Sequence, residues 1–251
     1  MKISVCIEPL FENMPFAERI AAAKDCGADA VEFWDASNKD LKAVSAACER
    51  TGMPVAAISV HDSWKVRLND EPAKVLAAID ESILVGRDLG CTHFIGLAGE
   101  QTGRVQAQKS LLVENLKRVA EVAEKHGVVV LLEALNSLYD HKGYYLDSAA
   151  EGFEIVRCVN SPGVKLLYDV YHMQLMEGNL LNSITGHMDA IGHFHFAGVP
   201  GRHEPHTGEI YYPALVKAID GVGYTGYCGL EYWPTGDSFA SLRESIARLK
   251  S

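Results

Sequence analysis

Eight times along the chain a short apolar run gives way to a longer stretch whose apolar residues recur every three or four positions, and few folds accommodate that rhythm. The short runs are Ile3–Ile7, Ala30–Trp34, Val55–Val60, His93–Leu97, Val128–Glu133, Val164–Asp169, Gly192–Phe196 and Gly226–Glu231. Each holds β-branched or aromatic residues and reads as a strand. Between and after them, Ala17–Cys26, Leu41–Thr51, Ala73–Leu89, Val105–His126, Ser148–Val159, Leu181–Met188, Pro213–Ile219 and Phe239–Leu249 read as helices. Four helix-to-strand junctions carry a glycine suited to a left-handed cap: Gly27, Gly90, Gly127 and Gly223. Strict alternation implies a parallel sheet wrapped by helices, and eight strands are the number that closes such a sheet on itself. The expected fold is therefore α/β, a single-domain (β/α)8 or TIM barrel spanning residues 1–251. An open doubly wound sheet is the rival. It is disfavoured because no G-x-G-x-x-G follows the first strand and eight units exceed its usual need.

Charge narrows the partners. The formal net charge is −10, with no run of Lys or Arg to offset it. A binder that tracks nucleic-acid phosphates or an anionic membrane needs the opposite sign, so a small-molecule partner is expected. The six cysteines are scattered without a C-x-x-C pair and read as reduced thiols. The first residues enter a strand-like run without the apolar core of a signal peptide, and no apolar stretch approaches the roughly 20 residues of a membrane span. A cytoplasmic protein is expected. The sequence is equally compatible with a monomer and a homo-oligomer.

In a barrel of this kind chemistry is assembled at the carboxyl ends of the strands. Strand five ends Leu132-Glu133, strand six Tyr168-Asp169, strand seven reads His193-Phe194-His195-Phe196, and strand eight ends Leu230-Glu231. An acid closing an apolar run is costly unless it meets a cation or solvent. Glu133, Asp169, His195 and Glu231 thus form a candidate metal set. Three carboxylates and one imidazole suit Mn²⁺ or Mg²⁺, with Zn²⁺ or Co²⁺ as further candidates. Taken singly, each acid is as well explained by a strand-end cap or an arginine partner. His193 shares a strand face with His195 but lies deeper, and is expected to be a hydrogen-bonded interior histidine.

Three further residues are candidates for binding substrate. His172, three residues beyond Asp169, is expected in a loop where it reaches a substrate oxygen; a loop-stabilising role is the alternative. Arg202 is the arginine of a Gly- and Pro-punctuated loop over the mouth, Gly198–Glu209, and its forked donors suit a carboxylate or hydroxyl groups. His61, at the end of strand three, faces either the mouth or the core. Trp34 and Trp233, at the ends of strands two and eight, either wall the pocket or pack. His203, Glu204 and His206 lie too close together to form a second metal site.

At these residues the chain resembles the xylose isomerase-like barrel family, and within it the hydroxypyruvate isomerase group. The resemblance is carried by Leu131–Asn136, by Tyr168-Asp169-Val170-Tyr171-His172-Met173-Gln174, by Pro200-Gly201-Arg202-His203-Glu204-Pro205 and by Leu230-Glu231-Tyr232. It covers most of the second half of the chain and thins towards the first strands. It implies a divalent ion held at Glu133, Asp169, His195 and Glu231, with Glu133 and Glu231 as the acid/base pair. It further implies an aldose–ketose isomerase that works through an enediolate, with hydroxypyruvate to tartronate semialdehyde as the expected conversion. The chain departs from that group at His195, where glutamine is common, and at Gly198 and His206. Ketose 3-epimerases of the same family carry histidine at the position of His195, so 3-epimerisation of a free sugar is the alternative. Two other classes occur on this barrel, a metal-dependent DNA repair endonuclease and a non-catalytic sugar-binding barrel. Strand four ends Gly96-Leu97-Ala98 and offers no ligand for the multi-zinc cluster of the former.

Overall fold

Each of the eight apolar runs forms a strand in the computed structural model, which describes residues 1–251. The order is β1 (Lys2–Cys6), α1 (Glu18–Asp25), β2 (Ala30–Phe33), α2 (Leu41–Thr51), β3 (Val55–Ser59), α3 (Pro72–Leu89), β4 (His93–Leu97) and α4 (Val105–His126). The second half runs β5 (Val129–Glu133), α5 (Ala149–Val159), β6 (Val164–Asp169), α6 (Val170–Met176), α7 (Leu180–Gly186), β7 (Ile191–Phe196), α8 (Tyr212–Gly221), β8 (Tyr227–Leu230) and α9 (Ser238–Leu249). Every neighbouring pair is parallel, and β1 pairs with β8 as well as with β2, so the sheet closes into a (β/α)8 barrel. No helix is long and apolar enough to cross a membrane.

Local chemistry sets the helix limits. Asp40, Ser148 and Asp237 cap α2, α5 and α9 by accepting from the backbone N–H three residues on. The expected left-handed glycines are found, with Gly90 and Gly127 at φ +67° and +65° closing α3 and α4. One expectation needs correction. The segment between β6 and β7 holds two helices, and the first begins at Val170 without an intervening loop. Asp169 is both the last residue of β6 and the cap of α6, its Oδ1 accepting from the His172 N–H at 3.0 Å. His172 therefore stands on a helix, where a loop was expected.

Alternation along the strands divides the buried side chains into two regions. One set packs between sheet and helices in a single large apolar core, while Ala57, Ile95, Leu131 and Leu167 form a separate apolar plug from β3, β4, β5 and β6. β1, β2 and β7 contribute polar groups instead, namely Ser4, Glu32, His193 and His195, all buried. The barrel is thus filled by hydrocarbon on one side and by a polar cluster on the other.

Candidate functional site

Parallel strands in a closed barrel bring their carboxyl ends to one mouth, so side chains 26 to 98 residues apart in sequence meet there. The structure brings Glu133, Asp169, His195 and Glu231 together, with one ligand atom from each lying within 4.8 Å of all the others. Asp169 and His195 are register partners on β6 and β7, and Glu231 follows β8 directly. From His195 Nδ1 the carboxylate oxygens stand at 3.2 Å (Glu231), 3.6 Å (Glu133) and 4.0 Å (Asp169). Oxygen ligands about 2.1 Å from one octahedral ion would stand roughly 3.0–4.2 Å apart, so the spacing fits a divalent cation. His195 Nδ1 is also buried without a hydrogen-bond partner, which marks it as a donor atom in want of an acceptor or a metal.

Arg202 enters this same cluster. Its Nη2 donates to Asp169 Oδ2 at 3.2 Å and to Glu231 Oε2, and its guanidinium lies over the rings of Tyr171 and Trp233 at 5.3 and 5.5 Å. Burial pushes the Asp169 carboxyl up to about 7, against the pull of Arg202 and His195. Burial acts the same way on Glu231, but there Arg202 and His195 prevail and hold the carboxyl well below its ordinary range. His195 is held well above the usual histidine value: burial lowers it, and the neighbouring Glu231 and Glu32 raise it by more. A guanidinium and an imidazolium therefore bring two positive charges to the acids, the charge a divalent ion would carry. The donor set, its spacing and its charge all fit such an ion, so these four residues can hold one.

Above the cluster opens a cleft of about 670 Å³ whose wall includes Trp34, Trp64, Tyr171, Arg202 and Trp233. The three indoles interlock, Trp34 standing 6.4 Å from Trp64 and 6.2 Å from Trp233 between ring centroids. Trp34 also donates from Nε1 to Glu231 Oε1 at 2.6 Å, so one side chain is at once wall and anchor. A narrower recess lined by Glu133, His141, His195, Arg202 and Glu231 continues towards the strand ends.

The other two substrate-binding candidates are placed elsewhere. His172 is wholly buried. Its Nδ1 accepts from the Asn136 backbone N–H at 3.1 Å and lies 2.6 Å from Asn136 Nδ2, while Nε2 stands 3.6 Å from Asp169 Oδ2. Burial, with Arg202 and His141 nearby, drives its pKa well below the ordinary value, so it is a neutral imidazole that locks the end of β5 to α6. His61 lies outside the lining of the cleft and its recess, and its backbone N–H donates to Ser82 Oγ of α3 at 2.8 Å. His193 donates from Nε2 to Glu32 Oε2 at 2.8 Å, an interior histidine as expected.

Glu32 itself went unread in the sequence. Its carboxylate accepts from Ser4 Oγ at 2.9 Å and from His193, and His195 Nε2 stands 2.9 Å from its other oxygen. Burial would raise this carboxyl, but the two histidines hold it down at about 2. The signal was available: an acid flanked by Val31 and Phe33 interrupts an otherwise apolar strand. His141, Trp64 and Tyr171 were also missed as wall residues: His141 and Trp64 lie in connecting segments whose course over the mouth has no periodic signature, and Tyr171 stands on α6, a helix the sequence did not reveal.

A family model described as xylose isomerase-like TIM barrel matches residues 20–251. Hydroxypyruvate isomerase of Escherichia coli (strain K12) is 31% identical over 252 residues, which cover 97% of this chain and 97% of that protein. The 2-oxo-tetronate isomerase of Cupriavidus necator is 31% identical over 245 residues, 93% of each chain. Among solved structures, that of AP endonuclease, family 2 from Brucella melitensis superposes with a TM-score of 0.92 at 27% identity, over 98% of both chains.

Proposed function

The chain belongs to the xylose isomerase-like TIM barrel family, and from that premise we propose that it is a divalent-metal-dependent isomerase of small hydroxy-carbonyl compounds, converting hydroxypyruvate to tartronate semialdehyde. The observation that carries this reading is the convergence of three carboxylates and one imidazole, from four consecutive strands, beneath an open cleft. The likeness to the Escherichia coli and Cupriavidus necator isomerases over nearly the whole chain supports it.

The reaction removes a proton from the hydroxymethyl carbon next to a carbonyl and returns one to the former carbonyl carbon. The intervening enediolate concentrates negative charge, which is why the uncatalysed step is slow. Glu133, Asp169, His195 and Glu231 would hold the ion, a role for which their oxygen-rich set favours Mn²⁺ or Mg²⁺. A divalent cation there supplies electrostatic stabilisation of the developing oxyanions. Glu133 and Glu231 enter from β5 and the end of β8 and both line the recess, so one would take the proton and the other return it. Trp34 fixes Glu231 through its N–H, and Arg202 offers the cation that a substrate carboxylate would meet.

One observation favours a second reading. The cleft falls within the about 300–1,000 Å³ typical of drug-sized ligands, far more than a three-carbon acid fills, so 3-epimerisation of a free ketose shares the same residues and needs only a different site of proton return. An endonuclease is less well supported: the net charge is −10 and β4 ends without a metal-binding side chain. The six cysteines are all unpaired, which supports a reducing, cytoplasmic setting. The deciding experiment follows deuterium from heavy water into hydroxypyruvate and a panel of three- to six-carbon ketoses, with Mn²⁺ and with chelator. Metal-dependent exchange and formation of tartronate semialdehyde are expected. Exchange confined to carbon 3 of a ketose selects the epimerase, and no exchange with any substrate leaves a non-catalytic binding barrel.

A further inference from the structure

We infer that Glu32 is a positioning residue for the metal site: by occupying Nε2 of His195 it turns the Nδ1 lone pair of that ring towards Glu133, Asp169 and Glu231. This rests on the metal-dependent reading above and assigns the ligand's supporting partner within it.

An imidazole that ligates an ion is neutral, so the imidazolium of the metal-free site must release one proton, and the partner of the remaining N–H decides where the lone pair points. His195 Nε2 lies 2.9 Å from Glu32 Oε1, in a contact bent off the ring N–H axis, and no other acceptor reaches that nitrogen. Its Nδ1 is the atom that faces the three acids. Without the carboxylate the ring is free to carry its proton on Nδ1, presenting an N–H where a ligand is needed.

Four features show a built support rather than a chance neighbour. Glu32 is 1% exposed, and a buried carboxylate costs several kcal/mol unless fully paired. Ser4 Oγ and His193 Nε2 both donate to Oε2, which leaves Oε1 for His195. His193 in turn meets His195 edge to face, with centroids 5.2 Å apart and planes at 82°, so the two rings brace each other. Finally, β8 gives up a side chain where Glu32 crosses the barrel: a Cβ on Gly229 would stand 2.1 Å from Glu32 Oε1. Packing alone does not require a charge here, since the other half of the interior is filled by Ala57, Ile95, Leu131 and Leu167.

The test is Mn²⁺ binding, read by electron paramagnetic resonance and calorimetry, to the parent, Glu32→Gln and Gly229→Ala, each checked for parental circular dichroism. Loss of a partner of this kind typically costs 10–100-fold in metal affinity. Both variants are expected to bind Mn²⁺ about 10–100-fold more weakly, Gly229→Ala because its methyl displaces a carboxylate that remains in the chain. Should the variants not fold, nitrogen-15 NMR of the Mg²⁺-loaded parent reads the same point directly, with His195 expected to be protonated at Nε2 and bare at Nδ1. Parental affinity in a folded Glu32→Gln, or a proton on Nδ1 in the loaded parent, overturns the proposal alone. A parent that binds no Mn²⁺ removes the metal-dependent reading and this inference with it.

Discussion

Arg202 and the proposed cation compete for the same carboxylates, and that competition is measurable. The guanidinium bridges Asp169 and Glu231 with its side chain 11% exposed. Arg202→Met keeps an unbranched apolar stem against Tyr171 and Trp233 but removes the charge. Breaking a buried ion pair from one side costs about 3–5 kcal/mol, because the partner charge is left unpaired. The lower end applies here. Asp169 already titrates at about 7, so it takes up a proton instead of remaining charged and unpaired. At roughly 2–4 °C per kcal/mol for a chain of this size, a loss of about 3 kcal/mol lowers Tm by about 6–12 °C in chelator.

Mn²⁺ should stabilise both proteins, and the variant by more. Ligand at a hundredfold excess over Kd stabilises by about 2.7 kcal/mol, but in the parent that gain is net of the Arg202 contacts that must be released. The variant has none to release. Scanning calorimetry in chelator and in Mn²⁺ is expected to show a larger metal-induced rise for Arg202→Met than for the parent. A variant that melts within about 2 °C of the parent in chelator, or whose metal-induced rise is the smaller, refutes the argument that the arginine occupies the cation's place.

Glu133→Gln preserves shape but cannot accept a proton, and turnover is expected to fall by about 10²–10⁴ with circular dichroism unchanged; activity above about a tenth of the parent removes Glu133 from the proton-transferring pair. Trp34→Phe keeps a ring beside Trp64 and Trp233 while deleting the 2.6 Å donation to Glu231. A hydrogen bond to a charged group is worth about 1.5–3 kcal/mol, so kcat/KM should drop about 10–150-fold and Tm should fall by about 3–12 °C. Glu204 ties the loop after β7 to the segment after β8, accepting from the Thr235 N–H at 2.9 Å and from Ser241 Oγ at 2.7 Å. Burial would raise its carboxyl, yet these donors hold it below the ordinary value. Its contribution is therefore complete above the unfolded value of about 4.3 and lost as pH falls through the lower folded value. Glu204→Gln should lower Tm at neutral pH and flatten the acid limb of the Tm–pH curve, and an unchanged limb would count against the assignment.

What was legible in the sequence, and what was not, divides along the range of the interactions. Repetition made the barrel readable, since eight strand-and-helix units leave few other closures, and a strand's carboxyl end is a position that sequence alone can locate. Glu133, Asp169, His195 and Glu231 were found because an acid or imidazole ending an apolar run is anomalous in itself. His172 shows where this reasoning stops. A polar residue just beyond a strand reads the same whether a loop or a helix follows, and only the capping of α6 by Asp169 turns the histidine into the packing against Asn136. Arg202 was found as a cation at the mouth, but its choice between substrate and the acids depends on a loop conformation, at φ +56°, that composition does not encode. Glu32 is the instructive omission. Its charge is explained by partners on β7, 161 residues away, with Ser4 on β1, and by a glycine on β8 that makes room for it. A mid-strand acid in a barrel interior should accordingly be read as a demand for a buried cationic or N–H partner. In a chain with histidines two apart on one inward strand face, that demand has a nameable answer before any coordinates are seen.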